Sequence, residues 1–161
     1  MEMNTLLNDC LEAVAQDSDL DTWCRANYDQ AVSVYGNFDE REPPQEDDCP
    51  AVAIYPARKS YGGSLYDDGL EFVAMLYDES ARTHAGISNI TEYAGVQNIE
   101  TMRQKVLSAI HGVVSATDTS RISRVEVEYE PIAYYPFIMC ACAVAVETPY
   151  TIGSGSPFAA E

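Results

Sequence analysis

A chain of 161 residues, 47% hydrophobic and 22% charged, is long enough for one domain with a real core. Its 26 Asp and Glu against 9 Lys and Arg give a formal net charge of −17. Such a surface repels phosphate backbones and disfavours nucleic-acid binding by counterion release. It suits a basic protein partner, or a passage through which an anionic polymer slides without sticking. The acid is uneven: residues 1–50 hold 13 acidic side chains against Arg25 and Arg41, whereas residues 51–161 hold 13 against 7 basic ones.

In chain order, MEMNTLLNDCLEAVAQ carries no basic n-region and no long apolar h-region. With an odd count of five cysteines, it reads as a chain made in a reducing cytoplasm with free thiols. Over 4–16, Leu7, Leu11 and Val14 form a stripe beside Leu6, Cys10 and Ala13, which predicts a helix. A second, short helix is predicted over 21–29, capped from within Ser18-Asp19-Leu20-Asp21 and anchored by Trp23. Residues 31–35 read as a short strand. NFDEREPPQEDDCP (37–50) is acidic and proline-rich, an exposed loop rather than a domain linker, because too few residues precede it to form a domain.

AVAIYP (51–56) and LEFVAMLY (70–77) read as covered strands that pair antiparallel, with 57–69 as a long hairpin connection holding Gly62-Gly63. A polar loop is predicted over 80–96. Asn98 then caps a helix on which Ile99, Met102, Val106, Ile110 and Val113 recur, ended by Gly112 and the TDTS after it. Residues 124–130 alternate: Val125, Val127 and Tyr129 face a core, Glu126, Glu128 and Glu130 face water. The last strand, 137–146, has Ile138, Cys140, Cys142, Val144 and Val146 on one face and Phe137, Met139, Ala141, Ala143 and Ala145 on the other. Both faces are apolar, so both should be covered, and the alanines admit a helix or a neighbouring subunit. The longest apolar run, 131–146, is broken by Pro136 and falls short of the roughly 20 residues of a spanning helix. The prediction is a single α+β domain over 1–149: a mainly antiparallel sheet of four to five strands, helices on one face, and an extended tail over 150–161.

Candidate sites are few. Cys140 and Cys142 share a strand face, but one intervening residue is too few for usual zinc spacing. Cys10, Cys24 and Cys49 are scattered, so core thiols are the plainer reading. Asp17-Ser18-Asp19-Leu20-Asp21 starts like a calcium loop but has Thr22 where Gly belongs and Tyr28 where Glu belongs; a helix N-cap explains the acids with less. Asn89-Ile90-Thr91 is a sequon by pattern, and Gly62-Gly63-Ser64 is a turn rather than a phosphate loop. His84 and His111 lack neighbouring signatures, so no catalytic constellation, cofactor or metal is predicted.

Three stretches taken together, VSVYGNFDEREPPQEDDCPAVAIYPARK, EYAGVQNIETMRQKVLSAI and EVEYEPIAYYPFIMCACAVAVETP, give the chain an organisation that resembles tail-terminator and neck proteins of tailed bacteriophages, over about residues 4–149. The resemblance implies a non-enzymatic virion protein, assembled in the host bacterial cytoplasm. It implies a homo-oligomeric ring, commonly hexameric, that caps the tail tube and meets the head-tail connector or neck. DNA would pass through without specific binding, and no membrane is involved. Arg58, Lys59, Tyr61, Arg82, His84 and Phe158 are then candidate interface residues, although a plain solvated loop explains the charged ones equally well. The alternatives are another neck protein (head closure or tail completion) or an acidic DNA-mimic inhibitor that uses Glu126, Glu128 and Glu130 along one edge.

Overall fold

The computed structural model describes residues 3–39, 41–62, 65–130 and 134–149, without the side chains of 60–62, 65–67 and 149. Two helices come first, α1 (Met3–Gln16) and α2 (Ser18–Tyr28), then a short strand β1 (Ser33–Tyr35). A single 3₁₀ turn, Glu46–Asp48, interrupts the acidic loop before the long hairpin of β2 (Ala51–Gly62) and β3 (Leu65–Tyr77). A small hairpin, β4 (Ala81–Thr83) and β5 (Thr91–Tyr93), leads into α3 (Ala94–Ser115), followed by β6 (Arg121–Glu130) and β7 (Phe137–Pro149). The main sheet has the order β1-β2-β3-β7-β6; only β1–β2 is parallel. The predicted α+β class, with a mainly antiparallel five-stranded sheet, is what the chain adopts.

The three helices pack on one face of this sheet. Leu6, Cys10 and Val14 of α1, Leu20 and Cys24 of α2, and Ile99, Met102, Val106, Ile110 and Val114 of α3 meet Val52, Ile54, Phe72, Leu76, Ile138 and Cys142 in one core. Each fully buried large side chain there contributes about 1.5–3 kcal/mol relative to exposure. Val114 rather than Val113 completes the α3 stripe, since a helical period of 3.6 carries the buried line past Val113.

Several boundaries differ from the sequence reading. Helix α2 starts at Ser18 because Asp17 is its cap, accepting from Leu20 N at 2.7 Å. Helix α3 starts at Ala94, not after Asn98, whose amide donates instead to the Tyr28 hydroxyl at 2.9 Å. It also runs through Gly112 to Ser115. Residues 57–69 are strand rather than connection, paired from Arg58–Gly69 out to Gly62–Leu65. The loop over 80–96 contains β4 and β5. On β6 the inward face is poorly covered: Val127 is 37% exposed and Tyr129 46%, because β6 is the sheet's edge and the helices lie over its centre.

Candidate functional site

The sheet's second face is where the fold leaves a surface unfinished. Strand register sets Glu71, Ala143 and Glu126 in one row across β3, β7 and β6, then Val73, Ala141 and Glu128 in the next. Residues in such a row are about 4.8 Å apart, so the alanines floor a trough with carboxylate walls. The trough opens into a hollow of about 330 Å³ lined by Glu71, Glu126, Val127, Glu128, Ala141 and Ala143. Tyr55 donates to Glu71 Oε1 at 2.8 Å and fixes that wall; burial, then this carboxylate, pushes the Tyr55 phenol up to about 12. One row on, Gly69 and Ala145 are flanked by Arg58 and Arg124, and Arg124 Nε lies 3.5 Å from Glu126 Oε1. At its other end the face is closed, because Tyr35, Phe38, Tyr77, Phe137 and Met139 pack over Cys49, Ala51 and Met75.

That closed end carries half-buried Tyr77 and Phe137 and exposed Tyr93 and Tyr135. Tyr77 and Phe137 meet edge to face at 5.2 Å between centroids, and Tyr93 and Tyr135 at 5.9 Å. Tyr77 donates to Glu79 Oε1 at 3.0 Å, which raises its phenol, with Glu46 of the acidic loop and Tyr135 close enough to add to the effect.

The five thiols are free and buried. Desolvation pushes Cys10, Cys24, Cys49 and Cys140 up to about 12 and Cys142 to about 11, so they are protonated core groups at neutral pH. Among the described residues no group of three or more His, Cys, Asp or Glu side chains is placed to hold a metal ion. Among the described residues, too, no helix is long and apolar enough to cross a membrane. Two polar clusters bind elements together. Tyr28 donates to buried Asp78 at 2.9 Å and accepts from Asn98, joining α2, α3 and the end of β3. Glu100 on α3 accepts from Arg103, Gln104 and Tyr129, joining α3 to β6.

The sequence-predicted interface residues fall into two groups at opposite ends of β3. Arg58 and Lys59 lie on β2 opposite Gly69 and Asp68, with Lys59 Nζ 3.7 Å from the buried Asp68 carboxylate. Arg82 Nε and His84 Nδ1 both reach Glu92, at 2.8 and 2.5 Å, so they are paired within their own hairpin. His84 foremost, then Arg82, holds Glu92 below the usual carboxylate range. The Tyr61 side chain, Phe158 and the predicted tail lie outside the described residues. Sequence reasoning singled out neither the glutamate-walled trough nor the aromatic end. The one available signal for the latter was Tyr134-Tyr135-Pro136 placed between two strands. No protein-family model matches the chain, and no curated protein matches it.

Proposed function

We propose that the protein is a structural virion subunit, a tail terminator that forms a ring at the end of a phage tail tube and joins it to the neck. The observation that carries this reading is the half-open sheet face. A five-stranded sheet with helices on one side only leaves Ala141, Ala143 and Val73 partly exposed on the other. Small side chains there let a neighbouring subunit approach closely, and a heterologous contact gives a ring when the rotation between neighbours closes. The net charge of −17 suits a lumen through which DNA slides without adhering.

The test is to image the purified protein and sediment it with tail tubes. Rings that co-sediment with tubes support the reading; a monomer at all concentrations that ignores tubes ends it. A second reading, an acidic DNA-mimic inhibitor, is favoured by the exposed row Glu126, Glu128 and Glu130 on edge strand β6. Competition with DNA for a DNA-binding enzyme separates the two, since a terminator leaves such an enzyme unaffected.

A further inference from the structure

The aromatic end is a different surface from the open face, and it has its own chemistry. Tyr134, Tyr135 and Tyr93 are 57%, 50% and 46% exposed, and Ile87 and Ile90 on the neighbouring hairpin are exposed as well. Exposed apolar side chains scattered singly mean little, but rings in contact form a patch. Three chain segments far apart in sequence supply it: the β3 end, the β5–α3 junction and the turn before β7. The acidic loop reaches the same place, because the Glu46 carbonyl accepts from Cys49 N at 3.1 Å and Cys49 packs against Tyr77 and Phe137.

The charges at this end decide what fits. Glu46 and Glu79 are exposed, and neither forms an ion pair with a basic side chain among the described residues. Arg41, the one basic residue in the loop, is bound by Asp39 at 2.8 Å. Phenol faces attract cations, arginine above all, and carboxylates beside the rings add directional pairing. Phosphate-bearing ligands are repelled by the same carboxylates.

We propose that this end of the sheet is a docking surface for a basic protein partner, which presents an arginine-bearing segment to the exposed Tyr93 and Tyr135 rings, beside the half-buried Tyr77 and between Glu46 and Glu79. Arginine stacks on the phenols while its guanidinium pairs with the flanking carboxylates. Screening of exposed pairs makes the contact salt-sensitive.

A fluorescein-labelled Arg-Gly repeat peptide ending in lysine is the probe, with binding read by fluorescence anisotropy. A net charge of −17 attracts any polycation, so location is the discriminating quantity. The double variant E46Q/E79Q is expected to weaken binding about fivefold, the loss of two exposed ion pairs. The double variant E126Q/E128Q removes the same charge from the other surface and is expected to change binding less than twofold. Tyr135→Leu keeps apolar bulk without the ring face and is expected to cost about threefold. On the unaltered protein, carbodiimide cross-linking of the peptide lysine should mark Glu46 or Glu79 in preference to Glu126 or Glu128. Equal losses in both double variants, or cross-links at Glu126 and Glu128 instead, overturn the proposal. Particle mass measured on the same samples reports the ring separately, so failure of one reading is not mistaken for failure of the other.

Discussion

Gly95 lies in the first turn of α3, where the helix passes closest to the sheet. A Cβ there would overlap Ile138 Cδ1 and stand 2.9 Å from Asp78 Cβ. Ile138 can yield at its tip, but Asp78 is held by Tyr28 and by Ser80 N at 2.8 Å. Gly95→Ala is therefore expected to destabilise the protein by about 1–3 kcal/mol, through overpacking. A thermal scan should show Tm lower by about 2–4 °C per kcal/mol; an unchanged Tm refutes the crowding argument. At Glu100, Arg103 foremost and then Tyr129 and Gln104 hold the carboxyl down to about 2 from the ordinary 4.5, against some opposing desolvation. A depressed carboxylate contributes stability above its unfolded pKa and loses it as pH falls through the folded value. The Tm difference between wild type and Glu100→Gln should thus be full at neutral pH, shrink below pH 4.5 and close near pH 2. Its size will be modest, because the side chain is 36% exposed and solvent screens the pair. A difference that stays constant across that window sinks the assignment.

Among the elements, α2 depends most on a single local bond. Asp17→Ala removes the cap on Leu20 N and is expected to cost about 0.5–2 kcal/mol. Urea unfolding should show a lower midpoint with an unchanged slope. Elements with an apolar period were legible: α1, α3 and the strands over 51–56 and 70–77 all exist, although the buried line of α1 runs through Leu6, Cys10 and Val14, with Leu7 and Leu11 only half-buried beside it. What escaped were elements specified by partners rather than by composition. Asn98 has the chemistry of a cap but is used for a tertiary bond to Tyr28. Arg58, Lys59, Asp67 and Asp68 read as a polar connection, yet the backbone ladder continues through them regardless of side-chain polarity. On β6 the alternation was right, but alternation cannot tell whether a helix extends far enough to cover Tyr129.

For the whole molecule, the sequence revealed that β7 has two apolar faces, though not which one would stay partly open. That depends on where Phe38 and Cys49 fold back, and they close only one end. The aromatic end was illegible because strand register, not local pattern, brings residues near 46, 77, 93 and 135 together. If the open face joins subunits, Ala143→Trp should abolish rings while leaving monomer Tm within a few degrees, since the new ring points into the trough. Mass photometry and a thermal scan test this together, and intact rings in the variant argue against the assignment. The strand order β1-β2-β3-β7-β6 also bears on how a subunit is made. Strand β7 lies between β3 and β6, yet 136 residues precede it in the chain. During synthesis, β3 therefore waits with its inner edge unpaired, and the core stays open until β7 inserts. If that open face joins subunits as proposed, a growing chain cannot recruit neighbours through a face that does not yet exist, and assembly would wait until residues 137–149 have left the ribosome.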